Sequence, residues 1–478
     1  MKIINQILKL TWLLAIIFTA TACNDDNDDI AESSISIDKS EMSFIPQGAE
    51  DTFNITASLS ISWGISTSND WLSVSQNSGL GSTSIVVTTE ANTTVQPRTG
   101  IVTVFTSDNS FTIQVSQEAF VFTLPPDSTG MSDYTSVELT DIMGVGWNIG
   151  NSLDAVGGET SWGNPMINTQ LINAVKAAGF NTVRIPIAWS NYIQEGDDNY
   201  IISIEGLNRV EEVVNYVLDN DMFAMINIHW DGGWMNEPTY EQQDYINDRL
   251  SKMWNQIAIH FRDYDYHLIF AGSNEVMFEG DYGTPTEEYY TVQNSFNQTF
   301  ITTVRNTGGK NAYRYLTVQG FNTNIDHTVN FAVLPEDTVQ NRMLMEVHYY
   351  DPYQFTLVTD NDNAWQWGAI ATDPSATAGW GDEAWLNTQF QKMYDHFVSQ
   401  GIGVILGEYG ASYRGEVSGA ETYREYYYQK TTESALMHGL VPVVWDNGYP
   451  DNHQMGLFNR SNGAEYFPNL INAITDQL

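Results

Sequence analysis

Two rhythms of apolar residues divide the chain. From Ser34 to about Ala119, single apolar positions alternate with polar ones: Ile35 and Ile37, Met42 and Phe44, Phe53 and Ile55, Val102 and Val104 beside Ile101, then Phe111, Ile113 and Val115. A period of two marks strands with one face in a core. Pro46-Gln47-Gly48, Asn77-Ser78-Gly79 and Pro97-Arg98-Thr99-Gly100 separate the runs with turn residues. Short alternating strands with polar turns predict a small all-β, immunoglobulin-like sandwich over 34–119.

From Ser132 to Leu478 the texture changes to short, wholly apolar runs between longer amphipathic segments. Eight runs read as buried strands: Gly144–Ile149, Thr182–Ile187, Phe223–Ile228, Leu268–Ala271, Leu316–Val318, Met343–Val347, Gly403–Leu406 and Val441–Val444. Leu171–Ala178, Leu207–Leu218, Ile246–Phe261, Tyr289–Val304, Ala384–Val398 and Tyr423–Met437 have helical spacing, and the fifth connection alone lacks an obvious long helix. Strands alternating with helix-length crossovers predict an α/β domain over 132–478. A (β/α)8 TIM barrel is expected, with a doubly wound open sheet as the alternative. The absence of a Gly-rich phosphate loop counts against the open sheet. Residues 120–131, with Pro125-Pro126-Asp127-Ser128-Thr129-Gly130, have linker composition.

The first 22 residues read as a signal peptide: a short basic start, an apolar run over Leu10–Ile17 too short to span a bilayer, and small residues before Cys23, the sole cysteine. The small residues and Cys23 resemble a bacterial lipobox, with Ala20 where that motif prefers Leu. The acidic tether 23–33, carrying Asn24-Asp25-Asp26-Asn27-Asp28-Asp29, resembles the surface-export signal of Bacteroidetes lipoproteins. The expectation is an exported chain held at the outer membrane, on the cell surface, by lipid on Cys23.

The candidate chemistry sits where the apolar runs end. LIFAGSNEV (268–276) leaves an apolar strand at Asn274-Glu275, and VILGEYG (404–410) does the same at Glu408. The other runs deliver Arg184 within TVRIPIAW, His229-Trp230-Asp231, His348-Tyr349-Tyr350, and Trp445-Asp446-Asn447. A TIM barrel brings all strand ends to one face, and a core would not gather so many charges. Two carboxylates there suit glycoside cleavage, in which one acid protonates the leaving oxygen while a carboxylate meets the anomeric carbon. A retaining enzyme holds the two about 5 Å apart. Glu275 or Glu408 alone could be a rim carboxylate, but the pair with Asn274 and Arg184 is hard to read that way. His229, His348 and Trp445 each have a packing alternative. So do Trp365, Trp367, Trp380 and Trp385, which follow the sixth strand and line either the cleft or a loop core.

Two resemblances add to this reading. Trp63, Trp71-Leu72, Ser78-Gly79, Asn92, Arg98-Thr99-Gly100 and Val115-Ser116-Gln117 resemble a BACON domain, for which a spacer role is favoured over glycan binding. The C-terminal domain closely resembles glycoside hydrolase family 5. GWNIGNSLD (146–154) and ETSWGNP (159–165) look like its subfamily 4, which holds endo-β-1,4-glucanases, many active on xyloglucan. The resemblance implies Glu275 as acid/base, Glu408 as nucleophile, and Arg184, His229, Asn274, His348, Tyr350 and Trp445 around the cleaved unit. Three departures bear on cleft shape: Val276 where the family usually has Pro, Ala271-Gly272 ahead of Ser273, and Trp230 where a second His is frequent. The implied activity is retaining hydrolysis of plant cell-wall glucan. Xyloglucan is favoured, and mixed-linkage glucan and soluble cellulose follow. A β-mannanase of the same fold and a non-catalytic surface glycan-binding protein are the alternatives.

Composition narrows the partners. With 59 acidic against 19 basic residues, the net charge of −40 disfavours nucleic acid. A neutral β-glucan polysaccharide is not penalised. The 14 Trp and 25 Tyr supply rings for stacking on sugars as well as for packing. With one Cys, no Cys-based metal site or internal disulfide can form. Asp360-Asn361-Asp362-Asn363 resembles part of a calcium loop but lacks its Gly and distal Glu, so it reads as a polar turn. No cofactor or metal is expected, and a monomer is expected.

Overall fold

A computed structural model describes residues 34–92, 97–118, 123–194, 196, 199–358 and 363–477. The expected signal peptide, Cys23 and the acidic tether lie outside these residues, as do 360–362 of the polar turn. The chain divides into two units, 1–120 and 121–478.

The first unit is a β-sandwich. One sheet orders its strands Ile35–Ile37, Ala49–Ala57, Thr83–Thr89 and Leu72–Val74. The other orders Glu41–Phe44, Ser110–Gln117, Arg98–Phe105, Ser62–Thr67 and Ser78–Leu80. The alternation seen in the residues is the reason for the architecture. Phe53 and Ile55 from one sheet meet Trp63, Val102, Val104, Ile113 and Val115 from the other in one buried cluster, and the residues between them face out. Each such side chain contributes about 1.5–3 kcal/mol by leaving water. Trp63 anchors the cluster, its Nε1 donating to Gly81 O at 2.8 Å. Gly79 is required beneath it, since a Cβ there would lie 2.3 Å from the indole.

The second unit is a closed parallel barrel. Its strands are β1 (Gly146–Ile149), β2 (Thr182–Ile185), β3 (Phe223–Asn227), β4 (Leu268–Ala271), β5 (Leu316–Gln319), β6 (Met343–Tyr349), β7 (Gly403–Tyr409) and β8 (Leu440–Asp446). β8 pairs with β1 through Val443 and Gly146, and this closure excludes the open-sheet alternative. The crossovers contain helices, and the fifth holds only the short Ile325–Phe331, in keeping with its weak helical pattern.

Alternation inside the strands sorts residues into an outer layer against the helices and an inner one. Phe223, Met225, Ile269, Leu344, Ile405, Val441 and Val443 form an inner apolar cluster with Leu139 and Met143 of the helix Ser136–Met143. Outward neighbours such as Ala224, Phe270, Met345 and Leu406 belong to the helix-facing core. One or two steps further along the same inner face, apolar residues give way to buried polar ones: Asn148, Arg184, Asn227, Gln319 and Glu346. The pleat therefore carries the chain from an apolar floor to a polar ceiling without breaking the sheet.

Three residues expected past the ends of their strands lie inside them. His348, Glu408 and Trp445 lie within β6, β7 and β8 rather than beyond them. The β6–β7 pairing shifts between Val347 and His348, and the β7–β8 pairing shifts between Leu406 and Tyr409. An irregularity of this kind lets pairing continue while re-aiming the side chains past it, so hydropathy alone places the strand end too early. Residues 123–131 lie along the barrel unit: Leu124 N donates to Thr307 O at 3.0 Å and Asp127 N to Gly309 O at 3.0 Å.

Candidate active site

The polar ceiling is built around Arg184. It comes from the inner face of β2 and is fully buried. Its Nη1 donates to Asn148 Oδ1 and to Glu408 Oε1, both at 3.0 Å, and its Nη2 donates to Asn274 Oδ1 at 2.7 Å. Its Nε lies 2.8 Å from Glu346 Oε1, an ion pair without the alignment of a hydrogen bond. Burial works against the guanidinium charge, but Glu346, Glu408 and Glu275 outweigh it and raise the pKa. Asn148 is itself held by Gly407 O, which accepts from Nδ2 at 2.7 Å. The fork of Arg184 thus ties β1, β2, β6 and β7 to the loop after β4.

Glu408 is almost enclosed. Besides Arg184 on Oε1, it accepts from Tyr350 OH on Oε2 at 3.0 Å. Burial pushes its pKa up, and His348 and Arg184 pull it back. Burial and the Glu408 carboxylate push the Tyr350 phenol well above its usual range, so it remains a donor. Glu275 stands on the loop, four residues past β4, and keeps its side chain 37% exposed. His348 joins the two carboxylates. Its Nδ1 lies 2.6 Å from Glu275 Oε1 and 3.8 Å from Glu408 Oε2, while Nε2 lies 3.4 Å from Glu346 Oε1. Burial disfavours the imidazolium, yet Glu408, Glu275 and Glu346 raise its pKa to about 9.

His229 is the opposite case. Burial, then Arg184 and His348, hold its pKa well below normal. Asn227 Oδ1 accepts from Ile187 N at 3.2 Å, which turns its amide nitrogen toward His229 Nδ1, 3.2 Å away. Nδ1 is then the acceptor, and the proton of the neutral ring sits on Nε2. His229 stacks on Trp445 with ring centres 5.8 Å apart and planes 7° apart. Gly150 is needed behind Trp445, because a Cβ there would lie 2.5 Å from the indole.

An open cleft passes Glu275 on both sides. One side is a cavity of about 660 Å³ lined by His348, Tyr350, Asp351, Tyr353, Tyr282 and Asn322. The other begins with a hollow of about 160 Å³ against His229, Asn274 and Val276. Through Trp230 and Asn236 it continues into about 470 Å³ beside Trp234 and Tyr245. Space on both sides of Glu275 leaves room for sugar units on either side of a bond placed beside it.

All eight residues singled out around the strand ends meet here. The aromatic set after β6 divides. Trp367 is buried against Phe355 and Tyr427, and Trp365 packs edge-on to Tyr423. Trp380 and Trp385 are exposed and edge-to-face, and Trp385 Nε1 donates at 2.9 Å to Asp351 Oδ2 on the cleft wall. Asp231 and Asp446 turn away from the cleft: Asp231 accepts from Ser190 and Trp234, Asp446 from Trp147 and Arg460. Sequence reasoning passed over Glu346, Gln319 and the role of Asn148. The available signal was register: Glu346 is two residues before His348 and shares its face. Among the described residues, ligand atoms of Glu275, His348 and Glu408 fall within 4.8 Å of one another. Arg184 Nη1 pairs with Glu408 at 3.0 Å and His348 Nδ1 with Glu275 at 2.6 Å, so side chains of this chain already face both carboxylates.

Comparison with known proteins agrees with this geometry. Residues 148–451 match the family model described as cellulase (glycosyl hydrolase family 5), and residues 34–119 match that of the viral BACON domain. The xyloglucan-specific endo-β-1,4-glucanase BoGH5A of Bacteroides ovatus is 38% identical, over 98% of this chain and 96% of the relative. Endoglucanase A of Paenibacillus barcinonensis is 43% identical over 72% of this chain and 90% of its own. Among solved structures, a Bacteroides ovatus GH5 xyloglucanase in complex with a XXXG heptasaccharide superposes with a TM-score of 0.71 at 38% identity, covering 93% of this chain and 99% of that one. A family 5 xyloglucanase from Paenibacillus pabuli gives 0.68 at 42% identity, over 71% and 99%. A barrel closed around two carboxylates, with the family model spanning most of that barrel, leads to one assignment: the chain belongs to glycoside hydrolase family 5.

Proposed function

We propose that this chain is a retaining endo-β-1,4-glucanase whose substrate is xyloglucan, with Glu408 as nucleophile and Glu275 as acid/base. The observation that carries the mechanism is the approach of the carboxylates: an oxygen of Glu275 and one of Glu408 lie within 4.8 Å of each other. A gap of that size suits direct attack by one carboxylate. An inverting pair stands about 6.5–9.5 Å apart, to admit a water between them. The substrate reading is supported by the relatives named xyloglucanases and by the cavities on both sides of Glu275.

The first half-reaction forms the bond from Glu408 to the anomeric carbon and breaks the glycosidic bond, while the proton of Glu275 goes to the leaving oxygen. In the second half Glu275, now a carboxylate, takes a proton from water, whose oxygen displaces Glu408. Arg184 and Tyr350 hold the Glu408 oxygens and disperse their charge before attack. Asn274 has committed its oxygen to Arg184, so its amide N–H groups remain for a sugar hydroxyl beside Glu275. Trp445, braced by His229, offers a flat face to a sugar ring.

The same reading includes export and lipid attachment at Cys23, supported by the residues around it, and a spacer role for the sandwich. Cys23→Ala tests the first: unchanged membrane fractionation would end the idea. Glycan affinity in the sandwich would end the second. For the enzyme, wild type, Glu408→Ala and Glu275→Ala are compared on xyloglucan, mannan, mixed-linkage glucan and carboxymethylcellulose. Mid-chain cleavage of xyloglucan, lost or crippled in both variants, is expected. Preferred cleavage of mannan would favour a β-mannanase, and binding without cleavage a glycan-binding protein.

A further inference from the structure

We infer that Glu346 is a positioning residue of this reaction: from beneath the reacting pair it holds Arg184 toward Glu408 and His348 toward Glu275. The inference rests on those two carboxylates being the reacting pair.

Glu346 is fully buried on the inner face of β6 and has no access to the cleft. Burying a carboxylate is costly, so it persists in such a place only with partners around it. Oε1 faces Arg184 Nε at 2.8 Å and His348 Nε2 at 3.4 Å. Oε2 accepts from Gln319 Nε2 at 2.7 Å. Gln319 is itself fixed, its Oε1 accepting from Ser273 N and Oγ at 3.1 Å. Ser273 precedes Asn274, so the same network reaches the loop that carries Glu275. Gly407 of β7 also lies against it, where a Cβ would be 2.0 Å from Oε1. Glycine there leaves the space the carboxylate fills.

Charge explains why a carboxylate, rather than an amide, stands there. Arg184 and protonated His348 bring two positive charges beneath the cleft. Before attack Glu408 is ionised and Glu275 carries the proton, which is one negative charge. After attack Glu408 is an ester and Glu275 a carboxylate, again one. Glu346 supplies the second negative charge in both halves, so the buried set stays balanced while the mobile charge passes from Glu408 to Glu275. His348, with Nδ1 between those carboxylates, is the group that feels the transfer. The charged groups around Glu346 are Arg184 and His348 and, through them, Glu408 and Glu275; Gln319 and the Gly407 backbone lie against it.

Glu346→Gln in the full chain keeps the volume and removes the charge. Its kcat on a soluble β-1,4-glucan oligosaccharide is expected to fall by about tenfold or more, with KM within about threefold. Removing a negative charge makes every neighbouring group release its proton earlier. Both limbs of the pH–kcat bell should therefore move to lower pH, the alkaline limb by about one pH unit. A bell that superposes on wild type overturns the inference, whether kcat is kept or lost, because a structural role alone does not move it. If Glu346→Gln fails to fold, Gln319→Ala decides, since it frees Oε2 of Glu346: a lowered kcat at unchanged KM supports the inference, and an unchanged kcat overturns it. Glu408→Ala, assayed alongside, keeps the two readings apart. Residual wild-type activity there removes the reacting pair itself, whereas its inactivity beside a wild-type-like Glu346→Gln removes only the role of Glu346.

Discussion

The backbone of Gly407 passes so close to Glu346 that a Cβ on it would lie 2.0 Å from the carboxylate oxygen Oε1. Gly407→Ala must therefore push Glu346 away from Arg184 and His348. Overpacking at such a site costs about 1–3 kcal/mol. We expect a lower midpoint of urea unfolding together with a fall in kcat larger than the stability loss would cause at assay temperature. An alanine variant with wild-type kcat would show that the carboxylate has room to move.

Tyr350 donates to Glu408 Oε2 at 3.0 Å. A hydrogen bond to a charged group is worth about 1.5–3 kcal/mol, so Tyr350→Phe should lower kcat by roughly tenfold to a hundredfold. The bond favours the ionised carboxylate, against the burial that pushes Glu408 up. Its loss should shift the acid limb of the activity profile to higher pH, the reverse of Glu346→Gln. Stopped assays across the acid range would detect this.

Glu275→Ala removes the proton donor while leaving Arg184, Tyr350 and Glu408 in place. Hydrolysis of a β-glucan should fall by about 10²–10⁴-fold. An aryl cellobioside whose phenolate leaves without protonation should lose little in its first step, seen as a retained burst. Loss of that burst would place Glu275 in another role.

His348 links activity to stability. Its pKa in the folded chain is raised to about 9, chiefly by Glu408 and Glu275 against burial, from an ordinary value near 6.5. Its contribution to stability is fully present below about pH 6.5 and is lost as pH rises through about 9. The stability gap between wild type and His348→Asn should then shrink between about pH 6 and pH 10. Denaturant unfolding at both ends of that window measures it, and a constant gap would mean that His348 does not charge in the folded state.

Trp380 and Trp385 stand exposed beside Asp351, which lines the larger arm of the cleft. If sugars reach that far, Trp385→Ala should raise KM for polymeric glucan by roughly fivefold, with short aryl glycosides unaffected. Equal KM values on polymer would confine the substrate to the neighbourhood of Glu275.

Much of this was open to reading in the chain itself. The period of two in 34–119 dictates a sandwich, because only one face of each strand can be buried. Apolar runs alternating with amphipathic segments dictate a barrel or an open sheet, and the abrupt polar ends of LIFAGSNEV and VILGEYG mark the carboxylates. These properties are local, so neighbouring residues report them. Closure through Val443 and Gly146, the shifted pairing that keeps Glu408 within β7, and the meeting of Glu346 with Arg184, Gln319 and Gly407 depend on strands far apart in sequence. The same separation divides Trp367 in the core from Trp385 on the surface, though both are Trp in one loop region. Their environments are set by what packs against them, and that is decided only when the barrel closes.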